Sequence, residues 1–201
     1  MSQVAISGNA SGTGTLTIAA PNTNSNYTLT LPQNTGTLIS TKSAGTVLQV
    51  VSTAKTDTFS LAATTTFTDI TGLSVSITPT STTSKIYVVV SIGGASMSAG
   101  GAQAYRLVRG STAIGVGTAA GTRQPTSFRD FNGSTDGNVA FGGYTFSFLD
   151  SPATDSATTY KLQVIVQSGT GYINQSPSDA DTNNVWGTRP ASTITVMEIA
   201  A

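Results

Sequence analysis

The sequence predicts an all-β chain: a jelly-roll-like antiparallel β-sandwich preceded by a short N-terminal β-hairpin stalk or attachment segment. Three observations predict it. Leu73, Val75 and Ile77 alternate with Ser74, Ser76 and Thr78 until Pro79 ends the pattern, the period-two signature of a strand with one face in a core and one in water. After the turn-rich Thr80 to Ser84, the run Ile86, Tyr87, Val88, Val89, Val90 is apolar on both faces and rich in β-branched residues, as a central sandwich strand is. From Val47 onward, turn signals recur about every 8 to 12 residues, the spacing of sandwiches and barrels.

Taken in order, residues 1–46 differ from the rest. Thr15 to Ile18 and Tyr27 to Leu31 alternate as two short strands joined by PNTNSN and closed by Pro32, a hairpin with one thin apolar face. Two strands alone are marginal, so Leu16, Ile18, Tyr27, Leu29 and Leu31 are candidate contacts with another copy of the chain or another protein, which would cover that face. Residues 33–46 read as a linker holding one short strand at Leu38 to Ser40, and residues 47–201 as the sandwich domain. Its strands are expected at Val47–Ser52, Phe67–Thr71, Leu73–Thr78, Lys85–Ile92 and Ala104–Arg109. Further ones are expected at Thr112–Gly117, Tyr144–Leu149, Tyr160–Gln167, Gly171–Asn174 and Thr193–Ile199. Three stretches fit no strand, Gly93–Gln103, Thr118–Ala140 and Gln175–Ser192, and loops of such length are usually functional or disordered.

Composition bounds the chemistry. Only 9% of the 201 residues are charged and nine basic residues cancel nine acidic ones. Ser and Thr make up about 30% of the chain, against a charged fraction of about 25% in ordinary domains. Such a surface lacks the net charge that keeps molecules apart, which points to life in an assembly. No basic run exists to meet phosphates or an anionic bilayer, so neither nucleic acid nor membrane is an expected partner. The N-terminal MSQVAISGNA has neither a basic region nor a long apolar segment, so a soluble product made in the cytoplasm is expected.

No catalytic, cofactor-binding or metal residues are assigned. The chain contains no histidine and no cysteine, which removes the commonest general base, metal ligands and thiol chemistry. GVGTAAG at Gly115 to Gly121 has its third glycine one place late for a dinucleotide fingerprint and no helix pattern after it. Asp179, Asp181 and Asn183 start like a calcium loop, but Asn184 stands where the turn needs Gly and Pro190 where a bidentate Glu belongs. Paired carboxylates at glycosidase spacing are not readable from sequence, so a glycan depolymerase stays as a third reading.

Arginines and aromatics concentrate in the long loops. Arg123, Phe128, Arg129, Asp130 and Phe131 lie in the second; Tyr172, Asp179, Asp181, Asn183, Trp186 and Arg189 lie in or beside the third. Such residues dominate interface hot spots and stack on sugar faces. They are candidate receptor contacts forming one patch, with packing of the loops onto the sandwich as the alternative.

GTGTLTIAAPNTNSNYTLTLPQNTGTLIST resembles the repeated N-terminal β modules of bacteriophage tail-fibre and virion structural proteins of marine and cyanobacterial type. VLQVVSTAKTDTFS, FTDITGLSVSITPTSTTSKI, RLVRGSTAIGVG, SFLDSPATDSATTYKLQV and RPASTITVMEI together resemble a C-terminal domain of such fibres. The resemblance implies a non-enzymatic protein of the virion surface, usually a homotrimer. Its N-terminal segment binds other tail or capsid proteins, and its knob is displayed for attachment to a host surface glycan or protein. Family members often carry the knob on a long fibre, whereas here it follows residues 1–46. That raises a second expectation, a head-fibre or capsid-decoration protein with no host ligand.

Overall fold

The alternation that ends at Pro79 and the apolar run that follows it become strands of opposite sheets. The computed structural model describes residues 43–98, 101–132 and 141–201, with isolated positions between 11 and 26. The chain divides into two compact units, Met1–Leu38 and Ile39–Ala201. The expected hairpin with Leu16, Ile18, Tyr27, Leu29 and Leu31, and the short strand at 38–40, lie outside the described residues.

In chain order the strands are β1 (Val47–Lys55), β2 (Phe59–Ala62), β3 (Thr68–Ile77), β4 (Lys85–Met97), β5 (Gly101–Arg109) and β6 (Thr112–Ile114). They continue with β7 (Phe128–Asn132), β8 (Gly142–Asp150), β9 (Thr158–Val166), β10 (Thr170–Ile173) and β11 (Ser192–Ile199). One sheet runs β1-β11-β4-β8, and β10 with β2 continues it beside the far end of β4. The other runs β3-β9-β5, with β6 and β7 both on the remaining edge of β5. All pairs are antiparallel. Leaving out the short β2 and β10, and counting β6 and β7 as the one edge position they share, this is the four-and-four strand order of a jelly roll.

Alternation decides which side chains meet between the sheets. Leu73, Val75 and Ile77 of β3 and Tyr160, Leu162 and Val164 of β9 face Ile86, Val88 and Val90 of β4 and Ile194 and Val196 of β11, every one of them buried. Each such side chain contributes about 1.5–3 kcal/mol by leaving water. β4 is central, as expected, with β11 on one edge and β8 on the other.

Several boundaries differ from expectation, each for a physical reason. The strands expected at 67–71 and 73–78 are one strand, whose pairing with β9 shifts between Asp69 and Ser74. Gly72 sits at that irregularity with φ +85°, beneath the buried Lys55 side chain. The loop expected at Gly93–Gln103 is strand except for its tip, because β4 runs on to Met97 and β5 begins at Gly101. Gly93 and Gly94 permit close approach there. A Cβ on Gly93 would lie 2.1 Å from the Ala191 carbonyl oxygen, and one on Gly94 2.2 Å from the Phe141 ring. The loop expected at Thr118–Ala140 contains β7, and β6 stops at Ile114 rather than Gly117.

Polar side chains lock the sandwich where the sheets meet. Asp150, at the end of β8, accepts two hydrogen bonds from Arg109 of β5, both 2.8 Å, and one from the Tyr160 hydroxyl of β9 at 2.7 Å. At the other end of β8, Tyr144 donates to Asp130 of β7, which also accepts from Gln103 at 3.2 Å. Buried Glu198 of β11 accepts from Gln49 of β1 at 2.6 Å and from the Thr80 amide and hydroxyl, both at 2.7 Å. Burial pushes its carboxyl up, but the hydrogen bonds of Gln49, Ser84 and Thr80 outweigh that and hold it below its ordinary value.

Candidate functional site

The outer face of the β9-β5-β7 sheet carries a trough of about 710 Å3. Its shape follows from strand alternation. On β5 the inward Gln103 and Tyr105 leave Ala102 and Ala104 outward; on β9 Ile165 faces out between Val164 and Val166. On β7 inward Phe128 and Asp130 leave Arg129 outward and exposed. The register sets Ile165 opposite Ala104 and Ala104 opposite Arg129, so the three form one row across the sheet. Two small side chains between larger neighbours make a hollow with an apolar floor.

Polar groups form its rim. Thr64 and Thr65 follow β2, in a turn fixed by backbone bonds from Ala63 to the Gly169 carbonyl and from Thr64 to the Val166 carbonyl, both 2.9 Å. Gln124 and Gln167 complete the wall. No carboxylate is among the described residues that line the trough.

Beyond the trough on the same face, Asp69 accepts from Lys161 at 2.7 Å and Gln163 at 2.6 Å, and Gln163 in turn accepts from Arg106 at 2.7 Å. The Arg106 guanidinium lies 4.1 Å from the Phe67 ring centroid, within cation–π range. Burial raises the Asp69 carboxyl, and the bonds from Lys161 and Gln163 together with the charges of Lys161 and Arg106 bring it below its ordinary value. These groups already satisfy one another.

A second, polar cavity of about 490 Å3 lies in the 175–191 segment, lined by Asp179, Ala180, Asp181, Gly187 and Arg189. Arg189 grips Asp179 through both carboxylate oxygens, at 2.6 and 3.1 Å, a geometry in which that carboxylate is committed to a guanidinium. The charge and hydrogen bonds of Asp179 raise the Arg189 pKa. Among the described residues no three acidic, His or Cys side chains cluster as a metal site.

The sequence candidates therefore divide. Arg129 lies in the trough, and exposed Arg123 in the adjoining turn, where its amide donates to the Ala120 carbonyl at 3.2 Å. Asp130 is not a surface contact: it is 2% exposed and bound to Tyr144 and Gln103. Phe128 packs inward, stacked on Tyr105 at 4.6 Å and Phe146 at 5.8 Å between centroids. Tyr172 is half-buried in β10, opposite Ser60 and Ser96. Asp179, Asp181 and Arg189 share the second cavity, and Asn183 is exposed beside it. Trp186 has its backbone in the 3-10 turn Val185–Gly187 and Phe131 has its own in β7; their side chains lie outside what the structure describes. The two cavities share no described lining residue. Sequence reasoning missed Ala102, Ala104 and Ile165. The signal was the pair of small residues two apart, Ala102 and Ala104, hidden because the expected loop ran to Gln103 and split them.

No protein-family model matches the chain, and no curated protein matches it. Among solved structures, the chain is similar to that of the infectious bursal disease virus Gt strain, at 13% identity and a TM-score of 0.35 over 76% of this chain and 38% of the other. It is similar to that of the Gx strain at 13% identity and a TM-score of 0.34, covering 77% of this chain and 39% of that one. To the VP2 subviral particle of the same virus the values are 14% identity and 0.33, with 76% of this chain and 38% of that chain covered. The chain thus spans less than two fifths of the length of the structures it matches.

Proposed function

We propose that the chain is a non-enzymatic virion structural protein, a short tail or virion fibre that displays its jelly-roll knob for attachment to a host surface glycan. In this reading residues 1–46 join it to other virion proteins and bring three copies together, and the knob faces outward. The observation that carries the reading is the trough. Its floor of Ala102, Ala104 and Ile165 suits the C–H face of a sugar, and its rim of Thr64, Thr65, Gln124, Gln167 and Arg129 offers the hydroxyls, amides and guanidinium that pair with sugar hydroxyls. Glycoside hydrolysis uses two carboxylates flanking the scissile bond; the described residues lining the trough offer donors and acceptors and no carboxylate, which supports holding a glycan over cutting one.

The test is adsorption of the purified chain to host cells, or competition with virions for them. Arg129→Ala removes a rim donor, and Ala104→Trp fills the hollow from a position whose side chain points away from the core. Each is expected to weaken adsorption about tenfold or more, the effect of about 1.4 kcal/mol or above, with the thermal midpoint within about 2 °C of the parent. Undiminished adsorption by both variants overturns host contact through this trough and leaves capsid decoration as the better account. Release of new reducing ends from host polysaccharide overturns the non-enzymatic part.

A further inference from the structure

Strand alternation sorts the charges of this neutral chain by face. Nine cations balance nine acids overall, but on the outer face of the β3-β9-β5-β7 sheet the balance is positive. Arg106 of β5, Arg129 of β7 and Lys161 of β9 point outward there, and Asp69 of β3 is the one carboxylate among the described strand residues of that face. The acids closest by are turned to the inside. Asp130 of β7 accepts from Tyr144 and Gln103, and Asp150, at the end of β8, accepts from Arg109 and Tyr160. Asp69 is held by Lys161 at 2.7 Å, so that pair cancels and the two guanidiniums set the sign of the face. Exposed Arg123, in the turn next to Gln124, adds to it.

These charges sit in and beside the trough. Arg129 lines it. Arg106 is one same-face step along β5 from Ala104, about 7 Å at the rise of an extended chain, which is within the distance of about 8–10 Å over which salt leaves charges felt. Resting on the reading of the trough as a glycan site, we propose that its occupant is an acidic sugar, one that carries a carboxylate or a sulfate. The register places the two contacts such a sugar needs. Ile165, Ala104 and Arg129 form one row on adjacent strands, spaced about 4.8 Å apart, so a ring seated over Ala104 has the guanidinium at its edge. A guanidinium offers parallel N–H donors to two oxygens of one anion, and such charge-assisted bonds are about twice as strong as neutral ones. Thr64, Thr65, Gln124 and Gln167 remain for the hydroxyls. A neutral sugar draws nothing from the positive balance and an amino sugar is repelled by it, whereas an anion is favoured both on approach and when bound.

The test pairs each acidic polymer with its own neutral form. Binding of the full chain is measured, at about 0.1 M salt, to surfaces bearing polygalacturonate or its methyl ester, and carboxymethyl dextran or dextran sulfate against plain dextran. At least one charged member is expected to bind tenfold or more tightly than its neutral partner, and whether it bears carboxylate or sulfate names the anion. Arg129→Gln and Ala104→Glu, one removing the cation and one setting a carboxylate in the floor, are each expected to abolish that preference with the thermal midpoint unchanged. Lys85→Gln, which removes the same charge from β4 of the other sheet, is expected to leave it intact. Equal binding of charged and neutral forms overturns the acidic assignment and leaves the glycan reading standing. A preference that survives both trough variants, or that Lys85→Gln removes as fully as they do, also overturns it, because the polymer is then held by diffuse charge. Failure of every polymer to bind overturns the assignment together with the glycan reading.

Discussion

Tyr144, Tyr160 and Tyr105 tie the stability of the fold to alkaline pH. Tyr160 is raised by burial first and then by its bond to Asp150; Tyr144 is pushed up to about 12 by burial and its bond to Asp130. The buried Tyr105 hydroxyl, without a hydrogen-bond partner among the described residues, is raised well above 10 by burial and by the nearby Asp130 charge. A phenol whose folded pKa exceeds its unfolded value of about 10 keeps its proton longer in the folded state, so its stability contribution is complete below pH 10 and is lost as pH rises above it. We predict a thermal midpoint that is flat from pH 7 to 9 and falls steeply from about pH 10, where the unfolded phenols begin to ionise, to the raised value of about 12 at Tyr144. Tyr160→Phe should lower stability at pH 7 by about 1–2 kcal/mol for the lost bond, with a lower midpoint, and flatten the alkaline limb. A slope unchanged by Tyr160→Phe would place the titration elsewhere. Asp69 and Glu198 act in the opposite sense: lowered in the fold, they stabilise above the ordinary carboxylate range and lose that as pH falls through it. None of this was legible in the sequence at Asp130. An aspartate flanked by Arg129 and Phe131 in a polar stretch reads as solvent-facing, and only the pairing of β7 with β5 turns it inward.

At the scale of elements, strands announced by alternation were found where expected, and errors gathered at glycine and at charge. β3, β4, β8 and β9 each carry three or more inward apolar side chains at period two, and β11 alternates around inward Ile194 and Val196, patterns strong enough to be read without neighbours. β2 and β7 were missed because Phe59-Ser-Leu-Ala is short and Phe128-Arg-Asp-Phe-Asn holds two charges. Both exist because a neighbouring edge was available to pair with. Gly93-Gly94 was read as a break in β4, whereas the two residues let the segment at Ala191 and the Phe141 ring lie against the strand. The distinction is testable. If the pair only ended a strand, Gly93→Ala would be neutral; with its Cβ 2.1 Å from the Ala191 carbonyl oxygen and 3.1 Å from the Pro190 Cβ, the backbone must move. We predict a loss of about 2–3 kcal/mol in urea unfolding for Gly93→Ala, against a few tenths for Ala at Gly117, where a Cβ meets nothing within 4 Å.

For the whole molecule, the jelly-roll order was legible in kind but the trough was not, since it is made by registers between strands far apart in the chain. Ala104 opposite Arg129, and Ile165 opposite Ala104, have no local signature. The same long-range pairing decides where the sandwich unit begins. A composition break suggested Val47, but the pairing of β1 with β11 is continued by a bond from the Gly45 amide to the Ala200 carbonyl at 2.7 Å and one from the Ala200 amide to the Thr46 carbonyl at 2.8 Å. A fragment starting at residue 47 loses both, together with the turn closed by the Thr46 amide on the Ser43 carbonyl, and leaves Ala200, just past the end of β11, without its backbone partners. At about 1 kcal/mol for each bond, the deficit is about 2 kcal/mol, or roughly 5 °C in midpoint for a domain of this size. We therefore predict that residues 43–201 unfold in one cooperative β-type transition, and that residues 47–201 do so at a lower midpoint by about that amount. Equal midpoints would show that the unit ends at β1. A 43–201 fragment recovered only as aggregate, beside a soluble full chain, would show that the sandwich depends on the residues before it.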